Sequence, residues 1–509
     1  MLKKYLLLSI CLSTIFNLTA QTELKLPDAV NAVISNSRDF KKTILDLQKA
    51  EAGFKENKTN LFPSLTINSP VSFDYQYKIK STFKVLGDNE DLTTSDISFF
   101  ILNPEIKLSQ LIPSSATVNF SVFNRFRIDD IGNIESKYAD EYIEQNDIEL
   151  DPTFSNTPGF GLSISQPVHF KNAYQATVTT IKENYNIQKN IARQGQNELV
   201  YQIIKSYYNL KYLQYNQQLA GLRREDFRKR YEEAKKKLEL GHITESILLQ
   251  ADSALKKAEI DVIDAENSYL DALKSFKQAT GIKDNFTLNV VIEVLPEKAR
   301  NFDEQMAIEK SAAENLEIKQ LEHQLEVSKA KKITTQNQLA PIVSLGADFH
   351  FGTTKKDVTD FSEALGAPFS DETNPQVKLN LNFTWKFFDA GFRRQKRLQD
   401  QYDIDKNLEE LNSKQEVIQK TVRNYIRVIK RNKHYLDYVA LNSRIAELDY
   451  ERGKKDLELG QITEKKLEEL RIDMDNAKLL SMKAEIDHNM QYLLLYKLTG
   501  NDLTKLFIR

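Results

Sequence analysis

Residues 238–245 read LELGHITE, and residues 457–464 read LELGQITE. The offset of 219 holds without a gap from 235–281 to 454–500, where fifteen of the 47 positions are identical. Ala258, Ala265 and Thr280-Gly281 recur as Ala477, Ala484 and Thr499-Gly500. One residue of slip extends the match upstream, setting Phe170, Glu198 and Tyr207 against Phe388, Glu416 and Tyr425. A long match at a fixed offset marks an internal repeat, so the chain is written twice. In each copy Leu-Gly stops one segment, and a Thr three residues after the Gly opens the next. That is a helix stop followed by a helix start. Each copy therefore predicts a helical hairpin with L-G-x-I-T at its tip.

The arms of these hairpins are very long. No proline occurs from 168 to 295 or from 376 to 509. Residues 171–240 and 389–458 read as helix, with a break left open. At 1.5 Å per residue, 70 residues reach about 105 Å, beyond an ordinary globular domain. In the first return arm Ala251, Leu255, Ala258, Val262, Ala265, Tyr269, Ala272, Phe276 and Ala279 follow 4-3-4-3 spacing. This is a heptad seam with alanine at every seventh residue, which lets a neighbouring helix approach closely. The second copy keeps Ala477 and Ala484, adds Leu470, Met474, Leu495 and Leu498, and is made more polar by His488 and Gln491.

Before each hairpin the period changes to two, the mark of strands with two unlike faces. Val71, Phe73, Tyr75, Tyr77 and Ile79 alternate with polar residues; Phe160, Leu162, Ile164, Val168 and Phe170 share another face. In the second copy Val343, Leu345, Ala347, Phe349 and Phe351 form one set. Val377, Leu379, Leu381, Phe383, Trp385 and Phe387 form the next. A ragged strand near 98–110 and a cleaner one through Val118, Phe120, Val122 and Phe126 add a pair in the first copy, with Pro113-Ser114-Ser115 turning between them. A soluble sheet packed on a core by one face fits such alternation. Strand lengths near the roughly 9–11 residues that cross a bilayer, and the many aromatics, favour a barrel wall.

Composition limits the function. The 509 residues carry 70 Lys+Arg against 72 Asp+Glu, a net charge of −2, so no general nucleic-acid surface is expected. With 41% hydrophobic and 28% charged residues the chain is too apolar for disorder and too charged for a bundle of membrane helices. Sixteen glycines and twelve prolines suit long helices rather than a loop-rich enzyme. Lys3 and Lys4, the apolar run Tyr5–Phe16 and Ala20 before Gln21 read as a secretory signal peptide. The lone Cys11 falls too early in that run for a lipoprotein site, and no disulfide or cysteine metal site is available. The six histidines form no H-E-x-x-H, and His323, between Glu322 and Gln324, reads as a solvated face. The sole G-x-G, Gly159-Phe160-Gly161, lacks the following helix of a phosphate site. No catalytic set, metal or cofactor site is expected.

Four strands from one chain cannot close a barrel, because open edges in lipid leave backbone groups unpaired. Sister copies must contribute. Two copies would give about eight strands and a filled interior, three about twelve and a water-filled lumen. The fold expected is therefore an α+β membrane protein. About four barrel strands per chain, possibly more, continue into a long α-helical coiled-coil tunnel, from two tandem repeats. Its parts are a signal peptide (1–20), N-terminal helices (21–60), first-repeat strands with a long loop or extra hairpin (61–170) and a helical hairpin (171–281). A linker (282–300), short helices (301–338), second-repeat strands (339–388), a second hairpin (389–500) and a tail (501–509) follow.

On the duplication, the strand-pair and long-hairpin order, S-Q-P-V at 165–168 and the two L-G-x-I-T tips, the sequence resembles the outer-membrane efflux protein (TolC) family over essentially the whole mature chain. The resemblance implies a homotrimer with a twelve-strand barrel in outer-membrane lipid and a periplasmic helical tunnel. It implies docking to a periplasmic adaptor (membrane fusion) protein and an inner-membrane transporter, for drug efflux or type I protein secretion. The extra sequence at 80–158 departs from that pattern, as an extracellular loop or as a hairpin that changes the strand count. Leu240, Gly241, Thr244, Leu459, Gly460 and Thr463 become candidates for adaptor docking, beyond their turn and cap roles. By position Glu469 matches an acidic ring of the family's periplasmic aperture. Lys466 stands where another acid is expected, so Glu464 and Glu468 are the further candidates. The competing reading is a secreted or periplasmic coiled-coil adhesion or scaffold protein with a soluble strand cap and no channel.

Overall fold

The structure, a computed structural model, describes residues 22–85, 88–131, 134–135, 153–168, 172–283, 286–289, 291–293, 295–300, 302–356 and 374–507. The signal peptide with Cys11, and the strand-end residue Phe170, lie outside the described residues. Two compact units result: Met1–Ala50, Asn186–His323 and Leu408–Arg509 form the first, Glu51–Tyr185 and Gln324–Asn407 the second.

The helices follow the repeat. In the first copy α1 (Leu26–Asn36) and α2 (Arg38–Thr59) precede the strands, and α3 (Ala173–Glu239) and α4 (Glu245–Thr280) form the hairpin. A one-turn α5 (Glu297–Arg300) follows. In the second copy the same order appears as α6 (Glu304–Glu314), α7 (Leu316–Gln338), α8 (Phe392–Glu458) and α9 (Glu464–Leu498). Both α3 and α8 are 67 residues without a break, about 100 Å of helix each. Among the described residues no helix is long and apolar enough to cross a membrane.

The first unit has a continuous core. Val30 of α1, Ile204, Tyr207 and Tyr208 of α3, Phe276 of α4 and Leu493 of α9 are all fully buried in it. The segment between the copies is packed too: Leu288 and Leu295 are buried, and β9 (Phe286–Thr287) pairs in parallel with β1 (Thr22–Glu23). Lys211, with no exposed side-chain surface, donates to the Val291 carbonyl at 2.8 Å and meets Glu293 at 2.9 Å. Burial, followed by Glu293, pushes the phenols of Tyr207 and Tyr208 well above their usual range. The heptad seam of α4 is real: Leu255, Ala258, Ala265 and Phe276 are its buried residues, together with Thr280.

The repeated Thr-Gly closes both return helices. Gly281 and Gly500 lie in the left-handed region (φ +73° and +74°), where side chains are disfavoured. A Cβ on Gly281 would press on Asn36 at the end of α1, and one on Gly500 would strike the backbone of Glu314 at the end of α6. The glycines thus fix both the cap and the approach of each short helix.

The second unit is built on a sheet whose main path runs β11-β10-β8-β6-β4-β3. Its strands are β2 (Ser64–Asn68), β3 (Val71–Val85), β4 (Asp88–Leu102), β5 (Glu105–Leu111), β6 (Thr117–Ile131), β7 (Ile134–Glu135), β8 (Thr153–Pro167), β10 (Ile342–Lys356) and β11 (Asn374–Thr384). β2 pairs β5 where β3 pairs β4, and β6 pairs both β4 and β5. β2 with β3, and β4 with β5, are each one strand broken at a proline, Pro70 or Pro104, which cannot donate to a ladder. Among the described residues the sheet is therefore six strands wide, where the sequence predicts about four, possibly more. The added hairpin lies in the segment 80–158, of which 86–87, 132–133 and 136–152 are outside the described residues.

The register makes the two faces distinct. Ile67, Ile106, Val122, Phe160, Phe349 and Val377 stand opposite one another across successive strands, as do Leu65, Leu108, Phe120, Leu162, Ala347 and Leu379. Much of this face is bare: Ile67, Leu379 and, in the next row, Leu381 are each 73% exposed. The opposite face carries rows such as Thr66, Lys107, Ser121, Gly161, Asp348 and Lys378. Ser109 Oγ donates to Asn119 Oδ1 at 2.8 Å, and Asn119 Nδ2 to Ser163 Oγ at 3.2 Å, tying strands together on that face. The G-F-G of β8 serves packing: a Cβ on Gly159 would lie 2.7 Å from the ring of Phe123, and one on Gly161 2.7 Å from Asp348 Oδ1. Glycine there lets cross-strand side chains lie flat on the sheet.

Gly500→Ala joins a left-handed backbone to a collision with Glu314. It should lower the melting temperature of the full-length protein by more than Gly241→Ala, which has open space around it and should cost roughly 1–2 kcal/mol. Equal melting temperatures would refute the packing role of Gly500.

Candidate functional site

Both hairpin tips are Schellman caps. After α3, Gly241 N donates to the Leu238 carbonyl at 2.9 Å and His242 N to Lys237 at 2.8 Å. After α8 the bonds repeat, Gly460 to Leu457 at 2.9 Å and Gln461 to Asp456 at 2.7 Å. Gly241 and Gly460 take φ of +73° and +69°, with no heavy atom near where a Cβ would stand. Thr244 and Thr463 are the N-cap residues of α4 and α9. Only Thr463 accepts a capping hydrogen bond, from Lys466 N at 3.3 Å. Leu240 and Leu459 stand bare beside them, 69% and 70% exposed. Folding needs the glycines and the caps here but gives neither leucine a partner.

The acids past the second tip are all paired. Glu464 meets Lys237 at 3.2 Å, and Glu468 meets Arg230 at 2.7 Å. Glu469 pairs with Lys466 of its own helix at 2.9 Å. The hydrogen bond from Lys466 holds the Glu469 carboxyl below its usual range, and the same bond holds Lys466 above its own. Lys466, where a second acid was expected, thus neutralises the first.

Two of these contacts open a longer seam. Lys237–Glu464, Arg230–Glu468, Asp226–Arg471 and Arg223–Asp475 follow one another as α3 and α9 run antiparallel. The Arg223–Asp475 pair is 2.9 Å, and Asp475 is 3% exposed at its side chain. Burial pulls the Arg471 guanidinium down from its ordinary value. The steps on α9 are four, three and four residues, a heptad stripe made of charge. Arg223, Asp226, Arg471 and Asp475 were not among the sequence candidates, and only that spacing could have found them. Among the described residues no three His, Cys, Asp or Glu are placed to hold a metal.

Residues 131–282 match the family model described as outer membrane efflux protein, a segment that includes α3, the first tip and α4. Solved structures share the fold across nearly the whole chain. The Campylobacter jejuni CmeC outer membrane channel aligns over 93% of this chain and 85% of its own, at 14% identity and a TM-score of 0.64. The open Neisseria gonorrhoeae MtrE outer membrane channel aligns over 94% and 89%, at 13% identity and 0.63. A membrane protein from Pseudomonas aeruginosa aligns over 94% and 91%, at 12% identity and 0.66. The chain thus carries a segment that matches the outer membrane efflux protein model, on a fold shared with solved outer membrane channels. No curated protein sequence matches it. At these identities the solved structures bear on the fold alone, so the tips and the seam of this chain are read from its own residues.

Asp475→Ala should cost roughly 1–3 kcal/mol. That is less than the roughly 3–5 for a fully buried pair, because Arg223 is partly exposed. Melting of the two single variants and the Arg223→Ala/Asp475→Ala double variant tests it. A less-than-additive loss is expected; additive losses would mean the two side chains are not coupled.

Proposed function

We propose that this protein is the outer-membrane exit duct of a tripartite efflux or type I secretion system, passively exporting small molecules or peptides. One observation carries the reading: a sheet with uncovered apolar rows on one face and polar rows on the other. In water a sheet buries its apolar face, whereas a barrel wall turns it to lipid and its polar face to a lumen. A soluble cap on an adhesion or scaffold protein would hide those rows.

Closure requires sister copies. Among the described residues β11 and the β2–β3 strand each pair on one side only, and an open edge in lipid is costly. In a homotrimer, three six-strand walls make eighteen strands rather than twelve, a count at which barrels hold a wide aqueous channel. The long helices then form the periplasmic tunnel. The bare leucines and open glycines of L-G-x-I-T dock the periplasmic adaptor, which links the duct to an inner-membrane transporter. Glu469 and Lys466, with Glu464 and Glu468, line the aperture, where each acid is held by a cation and losing Glu469 would leave the Lys466 charge facing passing ions.

The protein should need detergent for extraction and run as a heat-sensitive trimer; release by osmotic shock as a soluble monomer would overturn the duct. Replacing Gly241 and Gly460 with Leu should cut export in a deletion strain while trimers still assemble, and unchanged export would remove the docking role. In planar bilayers Glu469→Ala should change cation block, and identical conductance and block would reject the aperture role.

A further inference from the structure

Where β11 ends, the alternating apolar face runs on. Phe383, Trp385 and Phe387 are exposed, and Phe388 and Phe392 are exposed beside them. Asp389 then turns the chain into α8, its carboxylate accepting from Gly391 N and Arg393 N, each at 3.1 Å. A cleft of about 670 Å³ opens at this turn, within the second unit. Its walls include Trp385 and Phe387 on one side and Lys332, Arg393, Arg394 and Arg397 on the other.

The charge of the cleft is uncompensated. Asp389 is its only acid, and Arg393 takes that carboxylate at 2.7 Å while lying 5.9 Å from the centre of the Trp385 ring. Lys332 donates to the neutral Gln401, and Arg394 and Arg397 have no ion pair among the described residues. Asp400, three residues beyond Arg397, is buried and does not line the cleft.

Folding does not ask for these cations. At the offset of 218, Arg393, Arg394, Lys396 and Arg397 correspond to Gln175, Ala176, Val178 and Thr179 of the first copy. That copy starts its 67-residue helix with Asn172 accepting from Gln175 N at 2.9 Å, and with no cation in those positions. Positive side chains in the first turn also oppose the helix dipole. The cluster is therefore a cost to α8 that an outside anion would relieve.

We propose that this cleft binds the phosphate headgroup of an anionic phospholipid in the membrane leaflet at the helical end of the sheet. The reading rests on the sheet being an outer-membrane wall. Paired guanidinium groups suit phosphate oxygens, and aromatic rings suit the boundary between headgroup and acyl chain. The acyl chains would continue along the bare face past Phe383 and Leu381. The second copy of each chain would thus be an anchor, and the first copy a neutral counterpart.

Trp385 is the only tryptophan in the chain, so its fluorescence reports from the cleft itself. The full-length protein is reconstituted in phosphatidylcholine vesicles holding a minor fraction of phosphatidylglycerol. In each sample one lipid or the other is brominated near the headgroup. Quenching should show a preference of roughly fivefold or more for phosphatidylglycerol. Arg394→Gln/Arg397→Gln should bring that preference close to one, and Arg394→Lys/Arg397→Lys should keep part of it. A heat-sensitive oligomer on gels establishes that each variant is folded. Equal quenching by both lipids, or a preference untouched in the glutamine variant, would overturn the headgroup site and leave the wall intact. Loss of the preference on adding inorganic phosphate would overturn it too, by making free phosphate the occupant. No quenching by either brominated lipid would overturn the wall itself.

Discussion

A sheet that leaves whole rows of apolar side chains uncovered, and both outer strands half paired, is not a finished structure in water. Each bare residue forgoes burial worth roughly 1.5–3 kcal/mol, and each open edge presents unpaired backbone groups. In the proposed duct, lipid on one face and sister strands at the edges would satisfy all these demands together. The polar rows, held by Ser109, Asn119 and Ser163, would then face water on the other side.

The duplicated helices obey a different constraint. Thr-Gly at the end of α4 and α9 and Leu-Gly at the end of α3 and α8 are repeated because left-handed caps tolerate little else. Where structure alone is at stake the copies agree. They diverge where it is not. Charge gathers in the second copy, in the cations that open α8 and in the acids and Lys466 that open α9.

Much of this was legible from spacing. The hairpins, their tips, the α4 seam and the two-faced strands all come from local periodicity, and local periodicity survives folding. The strand count was harder to read. Pro70 and Pro104 split long strands, and the 98–110 stretch looked ragged because Asn103-Pro104 interrupts its alternation. The α3–α9 seam was harder still. Arg230 and Glu468 are 238 residues apart, Arg223 and Asp475 252 apart, and each alone resembles an ordinary solvated helix residue. Lys466 stands where the sequence pattern expects an acid, and its bond to Glu469 is a contact that the pattern alone does not show.

By itself the sequence determined the duplicated plan, the positions where helices stop and start, and which side of each strand is apolar, because these depend on neighbours a few residues away. Only the tertiary structure decided that the six described strands share one sheet, that charges from two hairpins close into a seam, and that Lys332 joins the arginines of α8 beside Trp385. Those outcomes depend on which distant segments meet, and pairing between distant segments leaves no period in the chain.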